Sequence, residues 1–138
     1  THTTHVNSVI EDPSFDESVI ATFFYQGEIV RVNKKTGKTE AILGDFLSPH
    51  GLRRIENGFL VSDTRRGQVV FLNDNFEIIK RLDLHTTWLQ DACISPWGTL
   101  FGLRSEKCDI VEVDCADGTV FNVFEFDANW RGYQIFFK

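Results

Sequence analysis

The stretch that decides the fold runs from Ser48 to Leu82 and reads SPHGLRRIENGFLVSDTRRGQVVFLNDNFEIIKRL. It contains four short runs rich in apolar residues, at positions 48–55, 59–63, 68–72 and 76–82. The breaks between them are typical turn sequences, namely Asn57-Gly58, Arg65-Arg66-Gly67 and Asn73-Asp74-Asn75. Runs this short, rich in β-branched and aromatic residues, favour strands over helices. The stretch therefore predicts four consecutive β-strands.

The same pattern occurs twice more along the chain, with a spacing of about 40 residues. In residues 90–124, Gly98 stands where Gly58 stands in the first copy, and Ile110 matches Val69. Residues 5–43 follow the pattern with a longer loop after the first strand. Inner strands such as 69–72 are apolar on both faces, which is typical of sheets covered on both sides.

We therefore predict an all-β protein in which 1–138 is a single partial or half β-propeller. It has three four-stranded antiparallel blades at about 5–44, 48–83 and 88–126. Residues 130–136 read WRGYQIF and resemble Trp88–Ile94, which opens the third blade. We expect one extra C-terminal strand at about 131–137, in the place of the first strand of a fourth blade.

The residues resemble a known group of propellers. Pro49-His50-Gly51-Leu52 and the later run from Gly58 to Val69 resemble the repeats of NHL and SMP-30-like six-bladed propellers. The opening run His5–Val9 is similar to a blade opening in arylsulfotransferase-like propellers. This resemblance implies the fold far more than the activity, because these propellers include lyases, hydrolases, transferases and pure binding modules.

Three blades make about half of a six-bladed ring, so the two outer faces are expected to be apolar and uncovered. Two arrangements would complete the ring. A head-to-tail dimer would close it by self-association. Alternatively, the chain is a piece of a longer propeller, and the extra strand at 131–137 favours this arrangement because it takes the place that a partner's first strand would fill.

Composition narrows the classes of partner. A formal net charge of −6 argues against a nucleic-acid partner, and no apolar run is long enough to span a membrane. We place Cys108 and Cys115 at opposite ends of one strand, too far apart for a disulfide, and Cys93 in a buried strand. These features favour a reduced, cytoplasmic setting, with secretion as the alternative.

The resemblance implies that the first strand of each blade lines the central channel. The candidate ligand-binding residues there are Asn7, Gln90 and Asp91, with Gln134 beside them, and the candidate catalytic residues are His5 and His50. In the related lyases, histidines at this place bind a metal, so His5, His50 and Asp91 form a candidate site for zinc or a similar divalent metal. Imidazole is also a general acid or base near neutral pH.

Each candidate has a structural alternative. His50 can serve only to bond the backbone of a neighbouring loop, and Arg65, a candidate for an anionic ligand, can be simply an exposed charge. We assign Trp88 and Trp130 to packing, and His2 and His85 to a tail and a loop. The acidic loop with Asp12, Asp16 and Glu17 is a weak candidate for calcium, since it lacks the spacing of an EF-hand.

Two functions remain open at this stage. One is a propeller whose axial funnel binds a metal or a small polar ligand, with a lyase- or hydrolase-like site. The other is a non-catalytic scaffold or interaction propeller that is closed by oligomerisation. The sequence leaves open whether the chain is an enzyme.

Overall fold

The computed structural model describes residues 4–138, so His2 lies outside the described residues. Twelve strands form three four-stranded antiparallel sheets, as the sequence predicts. Sheet 1 contains β1 (Val6–Glu11), β2 (Ser18–Phe23), β3 (Glu28–Asn33) and β4 (Thr39–Leu43). Sheet 2 contains β5 (Pro49–Ile55), β6 (Gly58–Asp63), β7 (Gln68–Leu72) and β8 (Ile78–Asp83). Sheet 3 contains β9 (Leu89–Ile94), β10 (Leu100–Arg104), β11 (Asp109–Val113) and β12 (Val120–Glu125).

Each sheet is a meander, because every strand pairs with the next strand in the chain. In sheets 2 and 3 a single 3₁₀ turn joins the second and third strands, at Thr64–Arg66 and Ser105–Lys107. No helix in the described part of the chain is long and apolar enough to cross a membrane.

The sheets stack face to face, and two apolar cores fill the interfaces. Between sheets 1 and 2, Ile20 and Ile29 pack against Phe59 and Val70, all nearly inaccessible to solvent. Between sheets 2 and 3, Leu60 and Val69 pack in the cluster that contains Leu100 and Val111. Apolar burial on both faces of β6 explains why that strand does not alternate between apolar and polar residues.

The C-terminal segment differs from the expectation, because residues 131–137 form no strand. The segment lies on the face of sheet 3 that points away from sheet 2. There the ring of Phe137 lies 5.1 Å from that of Phe101 and 5.3 Å from that of Trp97. Blades contact one another through side chains, so the first strand of a blade pairs only with the second strand of that blade. No such strand lies beside this segment among residues 4–138.

The three cysteines are free, as expected. Cys108 and Cys115 flank β11 at its two ends, and Cys93 is buried in β9. Burial raises the pKa of the Cys93 thiol to about 11, so this group stays protonated and behaves as a small apolar side chain.

Candidate functional site

The first strands of the three sheets, β1, β5 and β9, bound an open cavity of about 800 Å³. Five of the six candidate site residues line it, namely His5, Asn7, His50, Gln90 and Asp91, and Gln134 lines it as well. Arg65 does not line the cavity directly. Its guanidinium carbon lies 5.7 Å from the ring centroid of Trp88, which does. The candidates nevertheless differ sharply in what their polar atoms contact.

Side chains of β1 hold β5 in place across the first interface. The side-chain amide of Asn7 donates to the carbonyl oxygen of Pro49 at 3.3 Å. The hydroxyl of Ser8 accepts the backbone N–H of Leu52 at 3.0 Å. Asn7, predicted as a ligand-binding residue, therefore uses one of its donors to join two sheets.

A bulge in β5 sets the direction of His50. The register of β5 against β6 shifts between His50 and Arg53, and Gly51 within this bulge has a φ of 62°. A Cβ atom at this position would overlap Oδ1 of Asp91. Glycine thus satisfies both the left-handed backbone and the close approach to the neighbouring strand.

His50 is half-buried, and its Nδ1 is held by two oxygens. The carbonyl oxygen of Ser48 lies 3.0 Å away, and Oγ1 of Thr64, a fully buried residue, lies 2.7 Å away. Because a carbonyl oxygen can only accept, the hydrogen of the neutral imidazole resides on Nδ1. Nε2 then carries a lone pair, and it makes no hydrogen bond within the described residues.

The electrostatic surroundings keep this imidazole neutral. Burial lowers the pKa of His50, the hydrogen bond to the Ser48 carbonyl raises it, and the nearby charge of His5 lowers it again. The result is a pKa below the ordinary value of 6.5. An imidazole in this state accepts a proton at neutral pH.

Aromatic rings surround His50 at the end of the cavity where the inner strands begin. The ring centroid of Phe24 lies 5.3 Å from that of His50 and 5.3 Å from that of His5. The indole of Trp88 lies 6.1 Å from His50 and 6.4 Å from Phe24. We call His5, Phe24, His50 and Trp88 the His50 cluster. It combines ionisable nitrogen atoms with apolar ring faces, a surface suited to a small amphipathic ligand.

Gln90 serves this cluster as a support. Its side-chain oxygen accepts the indole N–H of Trp88 at 2.8 Å, which fixes the orientation of the ring. Gln90 was predicted to contact a ligand, and only its side-chain NH₂ group is not engaged by this hydrogen bond.

Asp91 lies deeper in the cavity and makes different contacts. Its Oδ2 pairs with the guanidinium of Arg53 and accepts the backbone N–H of Ile135 at 2.7 Å. The same guanidinium nitrogen of Arg53 also donates to the carbonyl oxygen of Ile135. We call Arg53, Asp91 and the Ile135 peptide group the Arg53–Asp91 clamp. It binds the C-terminal segment to the inner strands.

Burial dominates the clamp. It raises the pKa of Asp91, while the Ile135 N–H and the Arg53 guanidinium lower it, and the balance lies above the ordinary value. Asp91 Oδ1 and Arg53 Nε are buried without a hydrogen-bond partner among the described residues. Oδ2 of this carboxylate is occupied by the ion pair and the Ile135 N–H, and burial restricts the access of a ligand to Oδ1.

The residues present do not fit a resident metal ion. Within residues 4–138, no three His, Cys, Asp or Glu side chains are grouped to hold one. Of the candidate triad His5, His50 and Asp91, the carboxylate is already bound by Arg53 and Ile135. The metal site for zinc remains a prediction that this arrangement does not support.

In the acidic loop that was a candidate for calcium, two carboxylates already have partners within the protein. Asp12 pairs with Arg31 and caps the N–H of Ser14 at 2.8 Å, and Glu17 pairs with Lys35. Cations of the protein therefore already pair with two of the three loop carboxylates that a calcium ion would use.

Sequence reasoning missed three residues of the site. Phe24 follows β2 in sheet 1, so its approach to His50 depends on how the sheets stack. Thr64 follows β6 in the same sheet as His50, so its approach depends on the register of β5 against β6. Arg53 stands in β5, but no local pattern links it to an aspartate 38 residues away. The only available signal is the HGLRR run itself, in which a bulge glycine precedes a charged residue on an inner strand.

Comparisons with known proteins place the fold. No protein-family model matches the chain, and no curated protein matches its sequence. Among solved structures, virginiamycin B lyase from Staphylococcus aureus matches with a TM-score of 0.64 and 12% identity, over 90% of this chain and 42% of that chain. A catalytically inactive histidine-to-alanine variant of that lyase, with quinupristin, matches with a TM-score of 0.68 and 14% identity, over 94% of this chain and 44% of that chain.

A third match is a protein assigned as a 6-phosphogluconolactonase from Bacteroides uniformis, with a TM-score of 0.63 and 18% identity. It covers 94% of this chain and 44% of that chain. The chain therefore spans less than half the length of these neighbours, which are β-propellers. The three sheets are blades, and the chain is a partial β-propeller. The number of blades in the complete ring and an NHL-type repeat stay predictions.

Proposed function

We propose that the cavity between the inner strands binds a small polar ligand and that His50 transfers a proton during a lyase- or hydrolase-type reaction. The observation that carries this proposal is the 3.0 Å contact of His50 Nδ1 with the carbonyl oxygen of Ser48. Nδ1 is bound to the Ser48 carbonyl, so the lone pair of Nε2 is left for a ligand.

The chemistry follows from that lone pair. Nε2 accepts a proton either from a carbon next to a ligand carbonyl, as in an elimination, or from a water molecule, as in a hydrolysis. The resulting imidazolium is stabilised by the Ser48 carbonyl, and it returns the proton to the leaving group. Phe24 and Trp88 supply apolar surface against which the rest of the ligand packs.

The structural neighbours support the reaction class. One is a lyase for which a histidine-to-alanine variant is described as catalytically inactive, and another is assigned as a lactonase. A neutral, oriented histidine in the cavity of this chain is consistent with either chemistry.

The test is the tautomer and accessibility of His50, measured from the ¹⁵N shifts of its ring in the full chain. We expect a protonated Nδ1, a bare Nε2, and a shift of the Nε2 resonance when small lactones or carboxamides are added. Thr64→Val is expected to lower any turnover found with these compounds while leaving the fold intact. A bare Nδ1, or an Nε2 that no compound perturbs, would overturn the proposal.

The second candidate function is an interaction propeller, and β12 is the observation that favours it. All six residues of this outer strand are exposed, and Val120, Phe121, Val123 and Phe124 are each about half accessible. Apolar strands of this kind in monomers mark surfaces that another protein covers. Self-association of two copies would bury this strand.

A mass measurement in solution tests the second candidate. Sedimentation of the full chain is expected to give a dimer, and Phe121→Ser is expected to shift it towards a monomer. Ile79→Ser is the matched control, since Ile79 is 63% exposed on β8, the outer strand of sheet 2. A monomer at all concentrations, or equal effects of the two variants, would argue against self-association through β12.

A further inference from the structure

The charge around the cavity is opposite to that of the whole chain. The sequence has 20 acidic and 14 basic residues, with a net charge of −6. Nevertheless Asp91 is the single acidic side chain that lines the cavity among the described residues, and Arg53 neutralises it. His5 and His50 face the same space, so the local charge is neutral to positive.

Arg65 adds a positive charge near the His50 cluster, which forms one end of the cavity. Six of the eight arginines pair with carboxylates in the structure, namely Arg31, Arg53, Arg54, Arg66, Arg81 and Arg104. Arg65 and Arg131 form no such pair within residues 4–138. The adjacent Asp63 is taken by Arg66 at 2.9 Å and by Arg81 at 3.0 Å.

The position of Arg65 is set by the same turn that orients His50. Thr64 of the 3₁₀ turn holds Nδ1 of His50, and the N–H of Arg65 bonds the carbonyl oxygen of Leu47 at 3.1 Å. Gly67 ends the turn with a φ of 65°. The guanidinium carbon of Arg65 then lies 5.7 Å from the ring centroid of Trp88, whose indole is fixed by Gln90.

We propose that Arg65 binds an anionic group, a carboxylate, of an aromatic or otherwise apolar ligand whose body packs on Trp88 and Phe24, beside His50. This inference rests on the proposed function and names its class of ligand. A guanidinium with free N–H donors matches the two oxygens of a carboxylate. Because the guanidinium of Arg65 already lies over the indole of Trp88, its side chain loses little conformational freedom when a ligand binds. Trp88 and Phe24 supply the ring faces beside it.

The probes are benzoate and benzamide, which share shape and differ in charge. We expect benzoate to bind the full chain about tenfold more tightly than benzamide at low ionic strength, as one charge-assisted hydrogen bond implies. The readouts are calorimetry and the ring resonances of His50 and Trp88. Arg65→Gln is expected to remove the preference for benzoate and leave the affinity for benzamide unchanged.

Arg131→Gln is the matched control, because Arg131 is also exposed and outside the ion pairs of the described chain. It is expected to keep the preference. Equal binding of the two probes, binding of neither, or equal losses in the two arginine variants would overturn the anion site. The proposed function fails separately, through the tautomer of His50, so the two failures are distinguishable.

Discussion

The His50 cluster and the Arg53–Asp91 clamp meet in one cavity, where His50 and Arg53 are three residues apart in β5 and Trp88 and Asp91 are three residues apart at the start of β9. In the cluster, one nitrogen of His50 is anchored and the other has no partner within the described chain. In the clamp, Asp91 is almost fully buried and bound by both a guanidinium and a backbone N–H. The cluster keeps one nitrogen of His50 for a ligand. In the clamp, Oδ2 of Asp91 is instead used to hold the C-terminal segment.

The difference shows that lining a cavity is a poor guide to chemical role. Asp91 has the residue type of a ligand or an acid, but its contacts make it a structural group. Thr64 is buried, yet it orients the one imidazole that is positioned for proton transfer. The contacts of each polar atom separate the two roles, and variants of each region should behave differently.

The largest effect is expected from breaking the clamp. Asp91→Ala removes the counter-charge of the largely buried Arg53 guanidinium and the acceptor of the Ile135 N–H. Losing one partner of a buried ion pair costs about 3 to 5 kcal/mol, so we expect a fall of about 3 kcal/mol in the free energy of unfolding. Urea unfolding of the native chain and the variant at neutral pH measures this loss of stability.

The adjacent pair Arg54–Asp74 is the control for this loss. It has the same chemistry on the next residue of β5, but its side chains are 43% and 63% exposed. Exposed pairs contribute about 1 kcal/mol or less, so Asp74→Ala should change stability little. Equal destabilisation of the two variants would mean that the clamp stabilises the fold no more than an exposed ion pair does.

The fold class could be predicted because the signal is local and repeated. Short runs such as 68–72, bounded by turn residues and copied three times, fix strands and their antiparallel order without knowledge of distant contacts. The C-terminal segment follows the same local pattern but forms no strand, because strand formation needs a neighbour that the pattern itself does not provide.

The site could be predicted only in part. The resemblance drew attention to His5, Asn7, His50, Gln90 and Asp91, and all five line one cavity. Their roles could not be predicted from the sequence. The role of Asp91, for example, depends on Arg53 and Ile135, which are 38 and 44 residues away. Long-range pairing of single side chains leaves no periodic trace in the sequence.

A smaller effect is expected within the His50 cluster. Thr64→Val removes the hydroxyl that lies 2.7 Å from Nδ1 of His50 while keeping the shape of a fully buried side chain. Loss of one buried hydrogen bond costs about 1 kcal/mol in the free energy of unfolding, measured by urea titration. The ¹⁵N signals of His50 should also broaden, because the ring keeps only the Ser48 carbonyl as its anchor.

Ser62→Ala is the control for that substitution. Ser62 lies two residues earlier, is also fully buried, and its hydroxyl has no hydrogen-bond partner among the described residues. Removing an unsatisfied hydroxyl should leave stability unchanged or raise it. A larger loss for Ser62→Ala than for Thr64→Val would contradict the assignment of Thr64 as the residue that positions His50.

The smallest effect distinguishes the two regions by the sign of their pH dependence. Burial raises the pKa of Asp91 above 3.8, so just above pH 3.8 the folded chain binds more protons at this site than the unfolded chain. The free energy of unfolding therefore loses a contribution as pH rises through that window. Burial lowers the pKa of His50 below 6.5, so just below pH 6.5 the unfolded chain binds more protons, and stability gains a contribution as pH rises.

Each contribution can be isolated by a variant that cannot titrate. Unfolding curves recorded in steps from below pH 3.8 to above pH 6.5 are compared between the native chain and Asp91→Asn or His50→Gln. Relative to the native chain, the slope of stability against pH should become more positive in Asp91→Asn near the acidic end and less positive in His50→Gln near the neutral end. Slopes that change in the same direction would mean that burial does not act on the two groups in opposite senses. That result would contradict the electrostatic difference between Asp91, a paired and buried acid, and His50, an oriented and neutral base.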